Sequence, residues 1–474
     1  MMQSNPIFAL IVGVVLMVLV VLSRQRCRRG KRTPAAPKPP RAPREPKPFA
    51  GFTHKPECPA CQQAAELQPL ASAPHAPPPH MIFTRGRRRQ VDTTGHFCPH
   101  ATCSYHGRVG LGNIRANGHP NGRRWRQLVC LSCKRHFLET HGTLFHGKQV
   151  DPDKLVWAMA ALAEGLGIRA VARVFETDPN TVLCWLVETA DHLGAFSRHF
   201  LHDLDREQVQ MDELFALLRA VKDGEVTEAE AIKRLSRSPH WVWVAMDAVC
   251  KLILAVDVGD WTLAMAQRLV HQVTRVLAPH CAPLFLTDGF REHLTALVTH
   301  YGCWVQPERP QAKGPQPKPR WMPLPGLLYA QVVKSYRRRR IVGVKHRVIF
   351  GAAETIESIL AKRGWKINTA FAERLNLDVR QPVAAIGRRV NTLCKHEAGL
   401  RQQLALFQTY HNFVLPHASL RLLLPELELI PESGAIKRWQ PRTPAMAAGL
   451  TDRVWSLREV LLYRVPPWPQ SQTG

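Results

Sequence analysis

Acidic residues are scarce in this sequence of 474 residues. Lys and Arg total 64 against 37 Asp and Glu, which gives a formal net charge of +27. This imbalance favours a polyanionic partner, and nucleic acid is the commonest such partner of a basic chain, with anionic lipid as the alternative. The length allows roughly two or three domains with a substantial core.

Cysteine is also sparse, with 12 residues in the chain, so the dense disulfide framework of small secreted domains is not expected. Four of the cysteines fall in two close pairs, which indicates a metal site and a reducing compartment. A further pair, Cys58 and Cys61, has no second pair nearby. It is either half of a metal site or a pair that binds no metal.

The N-terminal apolar run is not followed by the small-residue motif of a cleavage site, which favours an uncleaved anchor over a signal peptide. Residues 7–22 are uninterrupted hydrophobics, and basic residues follow at once. Segment 1–26 is therefore predicted to anchor a cytoplasmic body to the inner membrane. The alternative is an extension that the functional protein does not need. Residues 27–95, rich in Pro and Arg, predict a disordered linker.

Residues 96–147 have the spacing of a structural zinc module. Cys98 and Cys103 precede a glycine- and arginine-rich stretch, and Cys130 and Cys133 follow it. Two turns brought together by strands would supply the four soft ligands of a tetrahedral Zn²⁺. The first pair is more widely spaced than usual, and four unrelated buried cysteines are the alternative.

Basic side chains between the two cysteine pairs suit contact with phosphate groups. The residues predicted to make this contact are Arg123, Arg124 and Arg126. Three nearby histidines are alternative zinc ligands, although a surface position in a basic module is the simpler interpretation; they are His100, His106 and His136.

Residues 148–200 predict a helix-turn-helix. Asp178 suits the N-cap of the second helix, and Pro179 suits its first turn. In this motif the second helix enters the major groove of DNA, so Asn180 and Thr181 at its start are predicted to contact DNA. Helical hairpins of other kinds share the spacing, but the preceding basic module favours DNA binding.

Residues 205–422 predict an α/β core with the element order of a ribonuclease H-like fold. Asp212 lies in the first predicted strand, and Asp288 ends the fourth. In such a fold these two strands are neighbours, so the two carboxylates would face one another and favour Mg²⁺ or Mn²⁺ between them. An ion pair with arginine is the alternative, and Asp247 and Asp257 are rival candidates.

A third carboxylate is predicted beyond a Pro-rich gap at 306–326. Glu373, Asn376 and Arg380 share one face of a helix that begins near Asn368. A carboxylate flanked by phosphate-binding side chains suits a metal-held phosphodiester. Two glutamates of another helix are alternatives, but that helix is expected at the surface; they are Glu354 and Glu357.

Four consecutive arginines lie between two β-like runs that precede this helix. Such a cluster is most often a solvated loop, but here it would hold a DNA backbone near the acidic residues. The residues are Arg337, Arg338, Arg339 and Arg340.

Several stretches of the sequence together carry a resemblance to a known class of protein. They are FCPHATC to VCLSC with CKRHFLETHGTLFHG after it, LLYAQVVKSYRRRR, NTAFAERLNLDVRQ and YHNFVLPHASLR. In combination, over residues 97–422, they resemble the zinc-ribbon, helix-turn-helix class of insertion-sequence transposases with a DDE catalytic core. The N-terminal segment, the linker and the C-terminal tail, 423–474, depart from this class.

The resemblance implies that Asp212, Asp288 and Glu373 form an acidic triad for metal-dependent cleavage and transfer of DNA strands. It also implies element ends and target DNA as partners, and a multimer, because two ends are cut together. The alternative is a domesticated, catalytically silent DNA-binding protein, either with or without a tether to the membrane. A third hypothesis is a membrane protein whose basic linker binds anionic lipid.

Overall fold

The computed structural model describes residues 91–122, 124–216, 240–309, 316–338, 340–386, 394, 396–429 and 436–467. Two predicted segments lie outside these residues: the membrane segment and nearly all of the linker, including Cys58 and Cys61. Two predicted DNA contacts also lie outside them, Arg123 and Arg339. Among the helices of the described part, none combines the length and the apolar character that crossing a bilayer requires.

Three short strands form a small antiparallel sheet in the N-terminal module. They are β1 (Ile114–Ala116), β2 (Gln127–Cys130) and β3 (His136–Leu138), with β2 in the centre. Tyr105, Ile114 and Leu128 are buried with the predicted zinc ligands in a cluster of their own. A core this small needs a further cross-link, which a metal held by the cysteines would provide.

Three helices follow: α1 (Pro152–Ala163), α2 (Ile168–Val174) and α3 (Pro179–Phe200). The start of α3 follows from the local sequence, because Asp178 Oδ1 accepts the backbone N–H of Asn180 at 2.8 Å. Pro179 occupies the first turn, where its missing N–H has no consequence. The predicted cap is confirmed, and Glu176 makes the tight turn before it with φ 47°.

The described part of the chain continues with ten strands and seven α-helices. The strands are β4 (Gln208–Ala216), β5 (His240–Asp247), β6 (Ile253–Asp260), β7 (Leu284–Asp288), β8 (Gly302–Val305), β9 (Arg320–Pro323), β10 (Leu328–Arg337), β11 (Arg340–Phe350), β12 (Leu422–Leu429) and β13 (Ile436–Gln440). The helices are α4 (Leu263–Val276), α5 (Arg291–His300), α6 (Ala353–Ala361), α7 (Ala370–Val379), α8 (Glu397–Thr409), α9 (Pro444–Ala447) and α10 (Leu457–Leu462).

The largest sheet has six strands in the order β11-β10-β7-β4-β5-β6. Strand β7 pairs in parallel with both β4 and β10, whereas the other neighbouring strands are antiparallel. The α/β class is therefore confirmed, and so is the adjacency of the strands that carry Asp212 and Asp288. The carboxyl ends of β4, β7 and β10 meet at one edge of the sheet.

Helices cover both faces of this sheet. Helices α4 and α5 pack against Val209 and Met211 of β4 on one face. Helices α7 and α8 pack against Leu214 and Ala216 on the other, and α6 packs there on β7 and β10. Because side chains alternate along a strand, Asp212 faces the side that α7 covers.

The described part of the Pro-rich gap at 306–326 contains a strand. Strand β9 pairs antiparallel with β8, and Trp321 lies opposite Trp304. Pro323 is the last residue of β9, where a missing N–H interrupts no ladder.

The segment predicted as a C-terminal tail, 423–474, contributes to the helical part of the protein. Leu457, Val460 and Leu461 are buried in one cluster with Leu186 and Phe196 of α3. A capping box between Ser456 and Glu459 starts α10 and fixes where it begins. The core around α1, α2 and α3 is thus completed by residues far along the chain.

This packing predicts unequal effects of two leucine substitutions in the same segment. Leu461 is fully buried, whereas Leu423 is 66 % exposed. Leu461→Ala should lower the free energy of unfolding by about 2–5 kcal/mol, and Leu423→Ala by less than about 0.5 kcal/mol. Urea denaturation measures both; equal effects would show that the segment does not belong to the core.

Candidate functional site

Four cysteines converge at the N-terminal sheet, as the sequence predicted. The sulfurs of Cys98 and Cys133 lie 3.7 Å apart, and those of Cys103 and Cys130 lie 3.8 Å apart. The edge of a regular tetrahedron with metal–sulfur bonds of ~2.3 Å is ~3.8 Å. The four thiols, all free, are therefore spaced as ligands of one metal ion.

Polar groups donate hydrogen bonds to two of the four sulfurs. The backbone N–H of Tyr105 donates to Cys103 Sγ at 3.4 Å, and Asn113 Nδ2 donates to Cys130 Sγ at 3.6 Å. Burial raises the pKa of Cys98. Burial acts in the same direction at Cys130, but backbone N–H groups outweigh it and the net pKa is lowered. Among the described residues, no histidine joins this group.

The second candidate site lies at the carboxyl end of β7 and the middle of the adjacent strand β4. The register pairs Gln208 with Leu284 and Gln210 with Leu286. Continued by two residues, this register brings Asp212 level with Asp288 on the same face of the sheet. Asp288 Oδ1 accepts the backbone N–H of Phe290 at 2.9 Å, which fixes the carboxylate at the start of α5.

A buried glutamine holds the third carboxylate over these strands. Gln210 is completely buried, and its Oε1 accepts the backbone N–H groups of Phe371 and Ala372 at 3.2 and 3.1 Å. Its Nε2 donates to the carbonyl of Asn368 at 2.9 Å. Gln210 thereby caps the N-terminus of α7 from within β4, and Glu373 lies in the first turn of that helix.

Glu373 is engaged by two donors. Thr369 Oγ1 donates to Glu373 Oε1 at 2.6 Å, and the Lys334 ammonium bonds the same oxygen. Burial raises the pKa of Glu373, but the hydrogen bonds from Lys334 and Thr369 outweigh burial, and the net pKa lies below its usual value. Glu373 is therefore ionised at neutral pH.

Asp212 has the most perturbed carboxyl group of the three. Burial, followed by repulsion from Glu213, Asp288 and Glu373, raises the pKa of Asp212 to about 7. Asn376 Nδ2 donates to Asp212 Oδ2 at 2.8 Å. Negative charge is thus concentrated at this edge of the sheet, and a cation there would relieve the repulsion.

The donor set fits a hard divalent cation. Asp212, Asp288 and Glu373 offer carboxylate oxygens, which Mg²⁺ and Mn²⁺ prefer. Asn376 is 7 % exposed, and its Oδ1 has no hydrogen-bond partner among the described residues. A cation or its water ligands would satisfy this buried oxygen.

Asp288 also belongs to a partly buried group that the sequence analysis did not predict. Ligand atoms of Asp288, Glu213 and His293 lie within 4.8 Å of one another, whereas the predicted triad does not form so close a group. His293 Nε2 and Glu213 Oε1 are 2.6 Å apart, with side chains 0 % and 3 % exposed. Burial lowers the pKa of His293, but the Glu213 carboxylate outweighs it and the net pKa is raised. A metal here would have to displace a satisfied buried pair.

The rival aspartates have arginine partners. Asp257 accepts from Arg268 at 2.8 Å and from Arg401 at 3.0 Å. Asp247 lies at the other end of the sheet, opposite Val209, with Arg206 at 3.6 Å. The ion-pair alternative therefore applies to these two residues. Glu354 and Glu357 are exposed on α6, as predicted.

The predicted DNA contacts of the cysteine module lie at its surface. Arg124 is half exposed and pairs with Asp151 at 2.9 Å, a contact weak enough for phosphate to compete with it. Arg126 is half-buried, and its backbone N–H donates to Glu139 at 2.8 Å. DNA contact by these residues stays a prediction.

The other predicted DNA contacts belong to three elements. Asn180 and Thr181 are half-buried in the first turn of α3. Arg337 and Arg340 are opposite one another at the end of the β10–β11 hairpin, where Arg338 has φ 48°. Asp288 pairs with Val332, so β10 continues from Val333 to Arg337, about 16 Å beyond the acidic residues. Arg380 is the C-cap of α7.

Four residues of the site were missed: Gln210, Glu213, His293 and Lys334. Glu213 follows Asp212 directly, but alternation directs it toward α5, and no local pattern indicates its partner there. Gln210 and Lys334 act through contacts with α7, which lies more than 30 residues further along the chain. Sequence spacing carries no signal for such contacts.

Because the pKa of Asp212 is raised, replacing this carboxyl group by a neutral amide should stabilise the protein in a pH-dependent way. The folded protein retains a proton between pH 3.8 and about 7 that the unfolded chain has lost, so wild-type stability falls as pH rises through this interval. Asp212→Asn removes that loss. In EDTA, the free energy of unfolding of Asp212→Asn relative to wild type should increase by up to about 1.4 kcal/mol per pH unit as pH rises. The increase should level off above the pKa of Asp212.

Urea denaturation between pH 4 and 8 measures this effect. Asp260→Asn, at the exposed end of β6, is the matched control and should show little pH-dependent change. A destabilised Asp212→Asn at pH 8 would mean that the carboxylate is stabilised by its surroundings, contrary to the repulsion described here.

Comparison of the sequence with known proteins adds no assignment to these two sites. No family model matches the chain, and no curated protein matches it. The arguments for function therefore rest on the residues and their geometry.

Proposed function

We propose that the protein is a DDE-type transposase that cleaves and transfers DNA strands of an insertion element. The observation that carries this proposal is the convergence of Asp212, Asp288 and Glu373 at one edge of the sheet. Asp212 lies in the middle of β4, Asp288 ends the adjacent parallel strand β7, and α7 holds Glu373 above them. Such an acidic edge, open at the half-exposed Glu373, suits a cation that also contacts a phosphodiester.

The strand order supports a ribonuclease H-like core. Without β11, the sheet reads β6-β5-β4-β7-β10, with only β5 antiparallel to the rest. In the order of the chain this is third, second, first, fourth and fifth strand. The order agrees with what the resemblance of the sequence implies, and it gives the first and fourth strands the acidic residues.

Asp212, Asp288 and Glu373, with Asn376 beside them, would hold Mg²⁺ or Mn²⁺. When bound, these cations would activate the attacking oxygen and stabilise the leaving oxygen of an in-line displacement. Gln210 keeps Glu373 above Asp212 through the N-terminus of α7. Asp212 must lose a proton before it can bind a cation, so affinity for the cation should increase toward pH 7.

The N-terminal modules would recognise DNA. Zn²⁺ is the metal that best suits four thiolates at tetrahedral spacing. The exposed arginines of this module, the start of α3 and the arginine hairpin would contact the backbone and bases of the element ends, in keeping with the net charge of +27. A multimer is part of the proposal, because two ends must be cut together.

The zinc proposal predicts about one equivalent of Zn²⁺ per purified chain. Cys130→Ser should lose this metal and most of the DNA affinity, because the small sheet depends on the cross-link. Cys303→Ser, on β8 and outside the group, is the control that should retain both. Elemental analysis and DNA-binding titrations measure the two quantities; full zinc content in Cys130→Ser would contradict the assignment.

The catalytic proposal is tested by strand cleavage of supercoiled DNA that carries the sequences flanking the coding region. The wild-type chain should nick this DNA with Mg²⁺ but not with EDTA. Asp288→Ala and Glu373→Ala should each reduce cleavage by about 10³-fold or more and leave DNA binding largely intact.

Two exposed acidic residues supply the controls, since Asp260→Ala and Glu354→Ala should retain cleavage. Binding without cleavage by the wild-type chain in both conditions would instead support the silent DNA-binding protein. Cleavage that survives Asp288→Ala would remove this residue from the site.

A further inference from the structure

Lys334 is a cationic side chain inside the acidic site. The proposed chemistry assigns it no role. It lies on β10, two residues beyond Val332, the partner of Asp288. Alternation places Val332 and Lys334 on the face of the sheet that carries Asp212 and Asp288. The side chain is 22 % exposed, so the ammonium is neither sealed in the core nor free in solvent.

The three carboxylates differ in the charge of their partners. Asp212 accepts from the neutral amide of Asn376, and Asp288 accepts from a backbone N–H. Glu373 instead accepts from the Lys334 ammonium. The third carboxylate is thus already neutralised by a cation of the protein itself, at the oxygen that Thr369 also contacts.

A divalent cation and the ammonium compete for Glu373. Both are attracted to the same carboxylate, and they repel one another at the distance that sharing it would impose. A cation that takes Glu373 therefore releases Lys334 at the exposed side of the site. The strongest anion within reach there, once DNA is bound, is a phosphate oxygen.

We propose that Lys334 is a phosphate-binding residue held in reserve by Glu373, exchanging that carboxylate for a DNA phosphate when a divalent cation binds. This inference rests on the proposed function for the identity of the anion. The exchange keeps the charge of the site balanced before and after the cation enters. It also makes cation binding and DNA binding favour one another, because each removes the competitor of the other.

The first arm of the test measures the cation without DNA. Mn²⁺ titrations followed by electron paramagnetic resonance should give Lys334→Met an affinity about three- to tenfold tighter than wild type, since the competitor is gone. Lys334→Gln repeats the measurement with a polar side chain. Lys345→Met, on the exposed strand β11, should bind Mn²⁺ as wild type does.

The second arm measures how DNA affinity depends on salt. Ca²⁺ serves as the cation here, so that binding is measured without cleavage. In Ca²⁺, the slope of log affinity against log salt should be less steep for Lys334→Met than for wild type by about 0.9, the contribution of one phosphate contact. In EDTA the slope should equal that of wild type, because Lys334 is then engaged by Glu373. Lys334→Arg should restore the wild-type slope in Ca²⁺.

Each outcome has a separate meaning. Tighter Mn²⁺ binding together with a slope that falls in Ca²⁺ alone would support the exchange. Unchanged or weaker Mn²⁺ binding by both variants would overturn it, because a purely structural ion pair gives that result. Unchanged slopes would overturn the phosphate contact. A wild-type chain that binds no DNA would refute the proposed function itself, which the Mn²⁺ arm does not depend on.

Discussion

The amide of Gln210 is the contact on which the acidic site depends. It occupies a fully buried position in β4, and it bonds one carbonyl and two N–H groups at the start of α7. The first turn of a helix has N–H groups without intrahelical partners, and leaving them buried and unpaired would be unfavourable. By satisfying them, Gln210 fixes the helix that carries Glu373 to the strand that carries Asp212.

With α7 held against β4, electrostatic interactions determine the protonation of the carboxyl groups in the site. Burial and neighbouring acids bring the pKa of Asp212 to about 7, while Lys334 keeps Glu373 ionised. Against the effect of burial, the Glu213 carboxylate raises the pKa of the buried His293, and this pair lies beside Asp288. The carboxylates therefore outnumber the basic side chains of the site, which favours binding of a further cation.

The cysteine module could be predicted from local spacing, whereas the acidic site could be predicted only in part. Cys98, Cys103, Cys130 and Cys133 could be predicted because metal ligands recur at fixed spacings within one short segment. The positions of Asp212 and Asp288 could be predicted because strands and their ends have local patterns. Lys334 and His293 could not, because their partners lie on other elements and no periodicity links them.

Local chemistry in the chain was enough to specify most of the elements. Asp178 and Pro179 start α3, apolar runs make β5, β6 and β7, and the arginine turn joins β10 to β11. Tertiary packing decided the rest: β9 formed within a proline-rich stretch because β8 was available to pair with it, and α10 became part of the helical core. Both outcomes depend on contacts between distant residues, whose free energy is gained only when the chain folds and which no short window of sequence contains.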